Sequence, residues 1–189
     1  MKISLDEAIQ RVLEAGEKSH CEHCMLLSPE FEFKFWKDGE KSSIDFSLEM
    51  LSDIFQAGDI LIHNHPIVAS LSLQDIDFAT RFGGIIYAAT PDGSRFWSTG
   101  FKRHVLFHEA FTSLQAAIVR EFQLRITFNG GEYSEDEFHA AAFTHFRNLE
   151  LQRLGLIDYD FHLKGLSKEA AVWLAQGAAR VNRHGIWRI

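Results

Sequence analysis

Residues 59–75 read Asp59-Ile60-Leu61-Ile62-His63-Asn64-His65-Pro66-Ile67-Val68-Ala69-Ser70-Leu71-Ser72-Leu73-Gln74-Asp75. Ile60, Leu61 and Ile62 make a brief buried strand that runs directly into His63-Asn64-His65, and Pro66 ends it. In an extended backbone, residues i and i+2 project to the same side, so both imidazoles reach one ion. The loop 67–71 then turns into a helix that starts at Ser72. Asp75 falls in the first helical turn, where its carboxylate points back towards the strand end. Two histidines and one aspartate leave a fourth tetrahedral position for water, the layout of a catalytic zinc site. Zinc in such a site lowers the pKa of water towards neutrality and polarises a carbonyl.

Outward from this stretch, elements alternate. Upstream, Leu5, Ala8, Ile9, Val12, Leu13 and Ala15 recur at helical spacing, with Ser4 as N-cap and Gly16 near the end. Residues 24–27 form a short apolar run. Phe31, Phe33 and Phe35 alternate with Glu32 and Lys34 as a half-buried, core-facing strand that ends at Lys37-Asp38-Gly39. A further helix is expected over residues 46–55, stopped by Gly58. Downstream, Ile76, Phe78, Ala79 and Phe82 continue the helix begun at Ser72. Residues 85–89 and 95–98 read as strands joined by the turn Pro91-Asp92-Gly93. Residues 1–101 therefore read as an α/β core with a mixed β-sheet flanked by helices. Residues 102–189 read as a C-terminal helical extension packed on it, with helices near 104–122, 136–154 and 168–181.

Composition sets the outer bounds. The 189 residues suffice for one domain with an appended subdomain, and 46% hydrophobic with 24% charged residues is ordinary for a globular protein. The formal net charge of −7, with no dense run of Lys and Arg, argues against a nucleic-acid partner. No apolar run reaches the roughly 20 residues needed to span a bilayer. Residues 1–7 lack the apolar stretch of a secretory signal, so a cytoplasmic location is expected. Two cysteines, Cys21 and Cys24, exclude a disulfide scaffold.

His63-Asn64-His65-Pro66 followed by Ser72-Leu73-Gln74-Asp75 resembles the JAMM (MPN+, JAB-domain) metalloprotease motif, in which His-x-His-Pro precedes Ser-x-x-Asp. The resemblance covers roughly residues 1–100. It implies an MPN-like fold, Zn2+ held by His63, His65 and Asp75, and Ser72 as a stabiliser of the tetrahedral oxyanion. It also implies an upstream glutamate as general acid/base, between the first helix and the first core strand. Glu22 occupies that place; Glu30, Glu32 and Glu40 are the alternatives. The implied activity is zinc-dependent hydrolysis of a peptide or isopeptide bond, with a peptide or a ubiquitin-like protein as substrate. Zinc-bound water attacks the scissile carbonyl, and Glu22 carries the proton. The loop Pro66 to Leu71 has six residues, one fewer than in the better-known members of the family.

Other readings compete. Ser72-x-x-Asp75 alone is an ordinary helix cap. A non-catalytic MPN-like scaffold or interaction module would share the fold, and RadC-like DNA-associated proteins share His-Asn-His-Pro. Cys21-x-x-Cys24 with His104 and His108 would make a Cys2His2 set, although about eighty residues separate its halves. His139 and His145 are six apart on one helix and so face different ways.

Overall fold

The computed structural model describes residues 1–41, 43–46, 53–102 and 135–183. Helix α1 (Leu5–Ser19) starts where the Ser4 hydroxyl accepts the Glu7 N–H at 3.2 Å, and it buries Ala8, Ile9, Val12 and Gly16 as one stripe. Strands β1 (His23–Leu27), β2 (Phe33–Asp38), β3 (Ile60–Asn64), β4 (Ile85–Ala89), β5 (Arg95–Phe101) and β6 (Ile157–His162) build a single sheet in the order β2-β1-β3-β4-β5-β6. Only β3 and β4 are parallel, joined through helix α2 (Leu73–Phe82); every other pair is antiparallel. Helices α3 (Glu135–Arg153) and α4 (Gly165–Arg183) complete, among the described residues, a mixed six-stranded α/β architecture flanked by four helices.

Both faces of the central strands are covered. On one face, Ile9 and Val12 of α1 pack with Met25, Leu27, Ile60 and Ile62. On the other, Ile76 and Ala79 of α2 and Leu151 of α3 pack with Leu26, Leu61, Phe96 and Tyr159. All five residues of β1 and of β3 are buried, in keeping with the apolar runs 24–27 and 60–62 within them. Helix α4 lies against α3 through Phe138, Ala142, Leu166 and Leu174.

Two expectations need correction. Phe31, Phe33 and Phe35 do not share a core-facing side: only Phe35 packs against the core, and Phe31 and Phe33 are exposed. The cause is a bulge. Leu26 pairs with Phe35 but Leu27 pairs with Phe33, so Lys34 is the extra residue, and its ammonium turns to the buried Asp59 carboxylate at 2.6 Å. The C-terminal part is also not purely helical, because β6 adds a strand to the edge of β5. Of the helices expected from sequence, those near 136–154 and 168–181 are α3 and α4. The helix expected over 104–122 lies outside the described residues, as do residues 47–52 of the one over 46–55. Among the described residues, no helix is long and apolar enough to cross a membrane.

Candidate metal centre

The end of β3 and the start of α2 meet at three side chains. His63 and His65 bring their Nε2 atoms to 3.0 Å from each other. Asp75 places Oδ1 at 3.4 Å from His63 Nε2 and Oδ2 at 3.4 Å from His65 Nε2. One ligand atom from each of the three residues lies within 4.8 Å of the others, close enough for the group to hold a metal ion. Among the described residues this is the only group of three His, Cys, Asp or Glu side chains that converges in this way.

Local structure fixes each ligand. The His65 Nδ1–H donates to the Ala69 carbonyl at 2.9 Å, which leaves Nε2 with its lone pair facing the site. His63 Nδ1 is buried without a hydrogen-bond partner. Asp75 is held by a capping box: its Oδ2 accepts the Ser72 N–H at 2.6 Å, and its own N–H donates to Ser72 Oγ at 3.1 Å. Burial opposes the Asp75 charge, but the two imidazoles outweigh it and hold the carboxyl well below the usual range. Burial likewise opposes charging of His65, and the Asp75 carboxylate reverses that and raises its pKa. Ser72 is therefore a cap in this structure, with its hydroxyl oxygen accepting and its O–H free to donate.

Strand register carries Glu22 to the same place. Cys24 pairs with His63 at the end of the β1–β3 ladder, and Glu22, two residues before Cys24, lies near enough to His63, His65 and Asp75 for their charges to act on its carboxyl. Its backbone is fixed on its other side by Glu22 N–H to the Glu40 carbonyl and Gly39 N–H to the Glu22 carbonyl, both 2.8 Å. Burial raises the Glu22 pKa; the nearby His63 and His65 pull it down, Asp75 pushes it up, and the net shift is upward. Glu30, Glu32 and Glu40 are exposed, and Glu30 takes a hydrogen bond from Ser28.

The chain matches no protein-family model, no curated protein and no solved structure. The site is therefore judged on its own geometry.

That geometry includes residues for which the sequence carried no signal. Thr144 Oγ1 accepts the Ser70 N–H at 2.9 Å, and Asn148 Nδ2 donates to Ser70 Oγ at 3.0 Å and to the Leu71 carbonyl at 2.9 Å. Arg147, buried from solvent, also donates to the Leu71 carbonyl; burial lowers its pKa to about 10, and Asp75 partly offsets that. Helix α3 thus braces the loop that delivers Asp75, from more than seventy residues away in sequence.

Two other constellations involve cysteines or histidines outside this group. Cys24 is buried, and burial pushes its thiol up to about 12, far from a reactive thiolate. His104 and His108 lie outside the described residues. Ser19 Oγ, His23 and Asp38 are aligned at 2.6 and 2.8 Å, a spacing reminiscent of a nucleophile, base and orienting acid. Ser19 Oγ, however, also lies 2.9 Å from the Ala15 carbonyl in the last turn of α1, where the helix dipole opposes a developing oxyanion. This row anchors His23 instead.

Proposed function

We propose that the chain is a zinc-dependent peptidase or isopeptidase of JAMM type. One observation supports the reading: ligating atoms of two histidines and an aspartate converge within 4.8 Å, and a partly buried glutamate lies near enough to feel the charge of all three. Two imidazoles and a carboxylate are a borderline donor set that suits zinc. A bound zinc ion supplies Lewis acidity, acidifying water and polarising a carbonyl. His63, His65 and Asp75 would hold the ion. Glu22 takes the proton from the attacking water and delivers it to the departing amine, a task helped by a carboxyl raised above its usual range. The Ser72 O–H donates to the substrate oxygen as charge develops there. The substrate class is a peptide or the tail of a ubiquitin-like protein.

The test pairs metal content with turnover. Tag-free protein is analysed by inductively coupled plasma mass spectrometry beside His63→Ala and Asp75→Ala. Wild type and Glu22→Gln are then compared on a quenched fluorescent peptide pool and on an isopeptide-linked ubiquitin-like conjugate. The expected result is about one zinc per chain in wild type, lost in both ligand variants. Hydrolysis should fall about 10²–10⁴-fold in Glu22→Gln with zinc retained. Protein that takes up no zinc even when it is supplied, or Glu22→Gln turning over at the wild-type rate, refutes the proposal.

A further inference from the structure

We propose that Asn64, the residue between the two histidines, is a positioning residue that holds Glu22 beside the ligand set; the inference rests on the hydrolase reading above. Alternation along β3 sends His63 and His65 to one face of the sheet and Asn64 to the other, against α1. There its carboxamide bridges the two peptide groups that flank Glu22. Asn64 Oδ1 accepts the His23 N–H at 2.7 Å, and Asn64 Nδ2 donates to the Cys21 carbonyl at 3.0 Å. On the far side, Glu22 itself is paired with Glu40 and Gly39. The segment 21–23 is therefore fixed by hydrogen bonds from both flanks.

Two further features belong to this clamp. The Asn64 side chain is fully enclosed and sits against the backbone of α1 at Gly16; a Cβ there would lie 2.1 Å from Nδ2. Gly16 lies in the last turn of α1 but is not among the glycines with positive φ, and alanine is the better helix former there, so its lack of a side chain answers to Asn64 rather than to helix geometry. His23, whose N–H the clamp receives, has its ring held by Ser19 and Asp38. A carboxamide is the one side chain of this length that offers a donor and an acceptor together, as the Cys21 carbonyl and the His23 N–H require. The same residue thus joins both arms of the proposed chemistry: its backbone lies between the metal-binding histidines, and its side chain sets the acid/base.

Crystal structures of the zinc-free Asn64→Ala and Asn64→Asp variants decide the geometry without reference to turnover. The aspartate keeps the acceptor for His23 but repels the Cys21 carbonyl, and its size matches the native residue, so it serves if the alanine variant does not fold. The expected result is Glu22 displaced from its place beside His63, His65 and Asp75 while those three stay converged. Glu22 unmoved in the variant overturns the proposal. Turnover of the quenched peptide pool adds a cycle with Glu22→Gln. Asn64→Asp should lower kcat about 10²-fold at little change in KM and with zinc retained, as expected for a group misplaced by about 1 Å. In the Glu22→Gln background the same change should cost nothing more. An equal loss in both backgrounds overturns the positioning role while leaving the hydrolase reading intact. Unimpaired turnover by Glu22→Gln alone refutes that reading instead, and the crystal structures still decide whether Asn64 places Glu22.

Discussion

Acid should loosen the C-terminal brace through one residue, His145. Its ring is buried between Phe161, at 4.6 Å edge-on, and Phe96, and its Nδ1 lies 2.7 Å from the Tyr159 hydroxyl. Tyr159 lies 2.7 Å from Ser70 Oγ, which accepts from Asn148. Donation can run in one direction, from Asn148 to Ser70 to Tyr159, and it ends on a neutral imidazole. A proton on Nδ1 would present a second donor to Tyr159 and force the row to reverse. Burial already pushes the pKa of His145 down to about 4 from 6.5. The sign follows from proton counting. Between these two values the unfolded chain binds the proton and the folded one does not, so stability is full above 6.5 and falls with acidification. At about 1.4 kcal/mol per pH unit across that interval, the loss reaches about 3 kcal/mol near pH 4. The assay is urea unfolding of zinc-free protein between pH 7.5 and 4.5, beside His145→Phe. Phenylalanine fits the aromatic surround and leaves the Tyr159 hydroxyl its bond to Ser70. Wild type should lose about 1.4 kcal/mol per pH unit more than the variant below pH 6.5. Stability curves that stay parallel over the whole range would falsify the assignment.

Replacing Ser72 by alanine removes the acceptor for the Asp75 N–H and should cost about 0.5–2 kcal/mol. It should also weaken zinc binding, readable in a competition titration with a chromophoric chelator; unchanged affinity and stability would show that the cap does not set Asp75. Lys34→Met takes the ammonium from the buried Asp59 carboxylate, whose Oδ1 already lacks a partner and whose Oδ2 keeps the Gln56 N–H. A loss of about 3–5 kcal/mol is expected in chemical denaturation, and a neutral result would refute a stabilising role for this pair. Zinc at a thousandfold excess over its dissociation constant should add about 4 kcal/mol. For a chain of this length that raises Tm by roughly 8–16 °C, reversibly with chelator. An equal rise in Asp75→Ala would place the ion elsewhere.

The ligand set was legible because two periodicities meet at it. A period of two puts His63 and His65 on one side of β3, and a capping pattern puts Asp75 at the third position of α2. Both are local rules that operate within thirteen residues. Glu22 was reachable by its place between the first helix and the first strand, but its nearness to His65 depends on pairing between strands forty residues apart. Strand β6 carried a readable signal, since Ile157, Tyr159 and Phe161 alternate with Asp158, Asp160 and His162. Two long flanking helices made it look like a connector. The phenylalanines of β2 misled for the opposite reason: their alternation is regular in sequence, and the bulge at Lys34 breaks it in space. Asn64, Thr144 and Arg147 act through tertiary contacts that no local pattern announces.

The brace from α3 and β6 also has a consequence for biosynthesis. His63, His65 and Asp75 leave the ribosome well before Thr144, Asn148 and Tyr159, which close around the loop between them. At roughly 5–20 residues per second, the nascent chain carries the proposed metal ligands for several seconds before their support is synthesised. During that interval the imidazoles and carboxylate are open to any passing cation. If an ion is captured there, exchange after the last third of the chain has folded back would decide which one is kept, and the stiffness of that late-arriving support would govern how fast a wrong ion leaves.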